Sequence, residues 1–127
     1  MIDHELIKLA QDKNFAVLST LMPDGHPATQ VMWVDADEES ILINTQVDRQ
    51  KWRNVQREPR VTVTIWDRTD PYHFAEVRGS VTGIIEGQEA RDHIDHLSMK
   101  YHGHEYNNPI TAPRVVLRVS PDKVIWH

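Results

Sequence analysis

The sequence predicts a mainly β fold, a β-barrel with small helices. Three stretches carry that prediction. Arg60–Asp67, RVTVTIWD, alternates with the period of two that a half-buried strand requires. MPDGHP places Asp24-Gly25, a hairpin signal, between two runs rich in β-formers. Tyr72–Glu86, YHFAEVRGSVTGIIE, reads as one strand long enough to serve two neighbours, with Gly79 as the bulge or bend between them. About six strands in 127 residues, some long enough to curve, favour closure into a barrel over an open sheet, in a single domain spanning 1–127.

The elements follow in order. Ile2, Leu6, Ile7, Leu9 and Ala10 recur at helical spacing and predict a short helix over 3–12. FAVLSTL (15–21) and ATQVMWV (28–34) are the two arms of the hairpin. Acidic DADEES makes the next turn, and ILINT (41–45) follows as a third strand of an antiparallel meander, because parallel pairing needs longer crossovers. Asp48 suits a helix N-cap, the helix runs over 49–57, and Pro59 stops it. DRTDP is a loop between the strands at 60–67 and 72–86. A helix over 88–101 puts Ile94, Leu97 and Tyr101 on one face. After the loop HGHEYNNPITAP, the last strand is RVVLRVSPDKVIWH, with Pro121 interrupting it.

Composition excludes several classes. There is no cysteine, so disulfides and thiolate metal sites are out. No apolar run approaches a membrane span, and the acidic, amphipathic start MIDHELIKLAQDK is unlike a signal peptide, so a cytoplasmic protein is expected. A net charge of −5 argues against broad nucleic-acid binding. Exposed edges and large apolar residues in so small a chain favour a homodimer.

One segment stands out against this acidic background. Arg49, Lys51, Arg53, Arg57 and Arg60 crowd together just past a predicted strand end. Two readings fit: a solvated helix face, or an anion site where backbone N–H groups at a helix start are joined by Arg and Lys. The segment lacks the glycines of a P-loop. The eight histidines include His93, His96, His102 and His104, but no HExxH is present and no further ligand completes a shell, so these read as surface histidines and no metal site is expected. No serine lies in a nucleophile elbow. The carboxylates of DADEES read as solubilising turn residues. Trp33, Trp66, Tyr72 and Phe74 read either as barrel core or as stacking partners for a flat heterocycle.

Three stretches match a known pattern in order and spacing: FAVLSTLMPDGHPATQVMWV, ILINTQVDRQKWRNVQREPRVTVTI and DPYHFAEVRGSVT. Together, over roughly residues 4–126, they resemble the pyridoxamine 5′-phosphate oxidase-like split β-barrel flavoproteins, in particular the branch of small enzymes that use the deazaflavin coenzyme F420. The most specific piece runs from Asn44-Thr45 through Arg49-x-Lys51 to Arg60-Val61. The resemblance implies that Arg49 and Lys51 reach the cofactor phosphate, that Asn44, Thr45, Gln30, Val31 and Met32 lie beside the cofactor, and that Tyr72 and Phe74 reach it from the partner chain of a homodimer. Asn54 falls on an asparagine that fixes the helix rather than touching ligand. Arg53 and Arg57 are candidates for the acidic tail of F420, with a surface-helix reading equally open. The implied activity is hydride transfer from reduced F420 to an unsaturated or conjugated small molecule, the redox chemistry belonging to the cofactor. FMN is the alternative cofactor, and a non-enzymatic flavin- or tetrapyrrole-binding protein the alternative of a different class. No catalytic side chain is assigned; Tyr72 and His73 are candidates for the proton source. VSPDKVIWH does not carry the basic, histidine-bearing segment with which the true oxidases grip substrate phosphate, so vitamin B6 oxidation is not expected.

Overall fold

The computed structural model describes residues 1–127. Helix α1 (His4–Gln11) is followed by strands β1 (Phe15–Leu21), β2 (Pro27–Met32), β3 (Asp35–Ala36) and β4 (Ile41–Gln46). Then come α2 (Gln50–Arg57), β5 (Arg60–Asp67), β6 (Asp70–Ile85), α3 (Gly87–His102) and β7 (Arg114–Trp126). All seven strands join one antiparallel sheet in the order β2-β1-β5-β6-β7-β4-β3.

The sheet curls because β6 has two jobs. Its first part pairs with β5 on one side and with the C-terminal part of β7 on the other; its last residues, Val81–Ile85, pair with β7 alone. The pairing with β7 slips between Arg78 and Gly79 and again between Val81 and Gly83. Gly79 lies opposite Pro121, and a Cβ there would run into the Ser120 carbonyl and stand 3.2 Å from the Pro121 Cα. This bulge turns one long strand from one half-sheet into the other. The result is a half-barrel: Ala16 and Leu18 of β1 share one core cluster with Ile41 and Ile43 of β4, although their strands lie far apart in the sheet order.

Helix α1 plugs this core. Asp3 accepts from the Glu5 N–H at 2.9 Å as N-cap, and Leu6, Ile7, Leu9 and Ala10 are buried. Helix α3 covers the outer face of β4 and β7, where Leu42, Val116 and Ala90 pack. Every residue of β4 is therefore buried. Ile41 and Ile43 point into the barrel; Leu42, Asn44 and Gln46 alternate toward α3.

Several expectations need correction. Ile41–Gln46 does not extend a meander with β2; it pairs with β7 and with β3, because the route to the far edge of the sheet closes the core. The start of DADEES is not a free turn: Asp35 and Ala36 form a short buried strand. The second strand ends at Met32 rather than Val34. Asp48 does not cap α2; the cap position is Arg49, with no side-chain bond. DRTDP is no separate loop, since β6 begins at Asp70 and closes a tight hairpin with β5. Pro121 does not break β7, because its missing N–H falls at the slipped register beside Gly79. Nor do Trp33, Trp66, Tyr72 and Phe74 build the main core, which is aliphatic; Tyr72 is 87% exposed, and Trp33 packs on a small separate cluster around Tyr101.

A polar clamp holds α3 to the barrel. The Lys100 ammonium donates to the Val34 carbonyl at 2.5 Å and to the Ala10 carbonyl at 3.1 Å. Tyr101 donates to the Asn14 carbonyl and accepts from the Val34 N–H at 3.2 Å. Burial lowers Lys100 to about 8, against the pull of Asp35 and Asp12, and burial raises Tyr101 to about 12. Between pH 8 and 10 the unfolded chain thus holds the lysine proton more tightly than the folded one, so this group adds stability as pH rises. Above pH 10 the raised Tyr101 works in the opposite direction. Urea unfolding at pH 8 and pH 10 should show the wild type gaining about 1–2 kcal/mol relative to Lys100→Met, a range reduced for solvent screening of a half-buried ammonium. Parallel pH profiles for the two proteins would contradict this role of Lys100.

Candidate functional site

A cleft opens where the end of β2, the outer face of β4, α3 and the start of β7 meet. It has a volume of about 270 Å³. Val31, Met32, Trp33, Ile94 and Leu97 give it apolar walls; Asn44, Tyr106, Asn108 and Arg114 give it a polar end. Trp33 is braced by a stack on Tyr101, centroids 5.0 Å apart, so this wall is rigid.

Asn44 organises the polar end. Its Nδ2 donates to the Ala90 carbonyl and to His93 Nδ1, both at 3.0 Å, while its Oδ1 accepts from Arg114 Nε at 2.9 Å. His93 in turn donates from Nε2 to Asp35 Oδ2 at 3.0 Å. Because Nδ1 accepts, the proton sits on Nε2, and the chain Asp35–His93–Asn44–Arg114 is satisfied at every link. Burial alone would raise Asp35; the His93 hydrogen bond, the Ala36 N–H and the Lys100 charge outweigh it and hold the carboxyl below its usual range. Asp35 and His93 are therefore interior residues, not the solubilising acid and surface histidine expected. No group of three or more His, Cys, Asp or Glu side chains is arranged to hold a metal ion.

Beyond this chain lies the basic segment. Arg49 is exposed at the start of α2 and Lys51 is half-buried within its first turn. Lys51 is lowered by burial first, then by repulsion from Arg49 and Arg114, so the three cations share one neighbourhood. Asn54 is fully buried and donates to Thr20 Oγ1 at 3.0 Å, which ties α2 to β1 rather than to the cleft. Arg53 donates to the Asp48 carbonyl at 3.1 Å and to Gln50 Oε1 at 2.8 Å; Arg57 donates to the Leu21 carbonyl. Both bond neutral acceptors of their own surroundings, and neither lines the cleft.

The structure thus brings Val31, Met32 and Asn44 to one cleft; Arg49 and Lys51 do not line it and approach it only through their neighbour Arg114. Gln30 is exposed on the edge strand, and Thr45 is buried on the opposite face of β4 from Asn44. Tyr72 and Phe74 are not brought there. They sit by the C-terminal end of β7, where Phe74 stacks on His127 at 4.4 Å; Arg114 is at its other end, roughly 40 Å away along the strand. Reading the sequence left Arg114, Tyr106 and Asn108 unassigned. The only signal for Arg114 was an arginine opening a strand after a proline, which says nothing of its neighbour across the sheet.

The donor set suits a phosphorylated heterocycle. Cations would meet a phosphate and apolar walls a flat ring; near Arg114, Gln46, 2% exposed, has no partner for Oε1. Such an orphan costs about 1–3 kcal/mol unless water or a ligand N–H meets it.

This arrangement is that of a cofactor-binding half-barrel. The family model for pyridoxamine 5′-phosphate oxidase matches residues 2–126, and the chain belongs to that family. Among solved structures it is similar to an F420 reductase, with a TM-score of 0.83 and 27% identity over 98% of both chains. A conserved hypothetical protein from Mycobacterium tuberculosis shares the fold at a TM-score of 0.76 and 23% identity, over 98% of this chain and 82% of that one. A protein from Listeria innocua described as a putative pyridoxamine 5′-phosphate oxidase does so at 0.71 and 21%, over 96% and 94%. No curated protein sequence matches. No helix is long and apolar enough to cross a membrane.

Removing the Asn44 amide would strip partners from Arg114 Nε, His93 Nδ1 and the Ala90 carbonyl at once. Asn44→Ala should lower stability by about 2–4 kcal/mol, read as a shift in denaturant midpoint at constant slope. A change below about 0.5 kcal/mol would show that water replaces the amide without cost.

Proposed function

We propose that the protein is an oxidoreductase that uses reduced coenzyme F420 to transfer hydride to an unsaturated or conjugated small molecule. The observation that carries this reading is an apolar-walled cleft whose Arg114 shares a cationic neighbourhood with Arg49 and Lys51; likeness to an F420 reductase supports the choice of deazaflavin. When bound, the reduced deazaflavin supplies the hydride. The chain binds, orients and shields: Arg49 and Lys51 hold the phosphate, and Val31 and Met32 flank the ring. FMN is the competing cofactor, since it also joins a phosphate to a tricyclic ring.

The working unit in this reading is a homodimer with the cofactor between subunits. Val31 is 66% exposed on the edge strand β2 and Tyr72 is 87% exposed, and both face away from their own chain's core. Tyr72 and Phe74, remote from the cleft of their own chain, serve that of the partner.

Titration with F420 and with FMN, followed by absorbance, tests the cofactor. F420 should bind more tightly and support turnover with a conjugated acceptor. Arg49→Ala and Lys51→Ala should each weaken binding by about one to two decades, as charge-assisted contacts do, with circular dichroism unchanged. Stoichiometric FMN that F420 cannot displace would hand the role to FMN. Sedimentation should give twice the chain mass; a monomer that still binds cofactor would end the shared-site reading.

A further inference from the structure

Three cations meet at this site with little to balance them. Arg114 opens β7 directly across from Gln46, three residues before Arg49. Val47 N–H donates to the Pro113 carbonyl at 3.1 Å, which stitches the two segments together. Arg49 has one carboxylate near it, Asp48 at 3.8 Å. Lys51 and Arg114 form no ion pair, whereas the neighbouring Arg91 is neutralised by Asp95 at 2.8 Å. Two positive charges are thus left over.

Arg114 is also held still. Asn44 fixes its Nε edge at 2.9 Å and the Tyr106 ring lies 5.4 Å from its guanidinium carbon, while Asp35 and His93 keep Asn44 in place. Contacts with Asn44 and Tyr106 fix the guanidinium where it lines the cleft, with further Nη hydrogens to spare, and orientation is set before any ligand arrives. Burial, with repulsion from Arg49 and Arg91, lowers Arg114 against the pull of Tyr106. Gln46, across the strand pair from Arg114 and on the Asn44 face, keeps its unpartnered buried oxygen in the same region.

We propose that Arg114 is a third anion-binding residue, and that the site is built for a ligand presenting two negative charges side by side rather than one. The inference rests on the reading that Arg49 and Lys51 face the cofactor phosphate. Two ligands offer that chemistry: a phosphomonoester dianion, as in FMN, or a phosphodiester with a carboxylate next to it, as in F420.

Calorimetric titration of the full chain with inorganic pyrophosphate and with dimethyl phosphate tests the charge count without a chromophore. Pyrophosphate should bind about ten-fold or more tightly than the singly charged diester, and Arg114→Gln should lose about ten-fold in pyrophosphate affinity and erase that preference. Arg114→Met, which keeps the apolar stem against Tyr106, gives the same readout if the glutamine variant does not fold. Equal affinity for the two anions, or an Arg114 variant that binds pyrophosphate like the wild type, overturns the inference. Two further pairs identify the source: FMN against riboflavin, and F420 against its phosphodiester lacking tail carboxylates. The pair whose affinity difference shrinks in the Arg114 variant names the ligand; if neither shrinks, Arg114 shapes the cleft and binds no anion. Arg49→Ala and Lys51→Ala variants that bind F420 and FMN as the wild type does would sink the proposed function. Weakening in those two with Arg114→Gln unaffected sinks this inference alone.

Discussion

A strand of sixteen residues cannot pair with two diverging neighbours unless it bends, and most of this structure follows from how β6 meets that constraint. The bend is placed where Gly79 faces Pro121, one residue with no side chain and one with no N–H. Neither loses anything there: the glycine allows the backbones to touch, and the proline has no donor to leave unpaired. Ahead of the bend β6 belongs with β5 and the C-terminal part of β7; beyond it, with the first part of β7 alone and through β7 with β4. The two half-sheets enclose one aliphatic core, with α1 across it.

The cleft is a by-product of that closure. Moving β4 to the far side of the sheet puts it under α3, so that its outward residues face a helix rather than water. Leucine at 42 meets an apolar patch; asparagine at 44 and glutamine at 46 meet polar groups or nothing. A buried polar chain is stabilising only when every member is satisfied. Asp35, His93, Asn44 and Arg114 satisfy that condition, and the chain ends at a guanidinium aimed past the helix start. Rigidity at the base of the site and unbalanced charge at its mouth come from the same strand pairing.

The aromatic residues divide along similar lines. Phe15, Trp33 and Tyr101 stack against one another at centroid distances of 5.0 and 5.3 Å and brace α3. Tyr72 and Phe74 remain outside the core at the opposite end of β7 from Arg114.

The sequence by itself determined the local pieces. Alternation in RVTVTIWD, the Asp-Gly hairpin and the helical spacing of α1 and α3 each reflect neighbours a few residues apart, and β1 and β5 begin and end where the pattern says. The basic segment was legible for the same reason, since Arg49 and Lys51 lie on one short turn of chain. Only the tertiary structure decided which strands meet. Asn44 and Arg114 are 70 residues apart, and Asp35 and His93 are 58 apart. No periodicity encodes such distances. An aspartate that reads as solubilising and a histidine that reads as surface become interior partners because the curl of one sheet brings its two ends around a common core, and burial then makes hydrogen bonding obligatory.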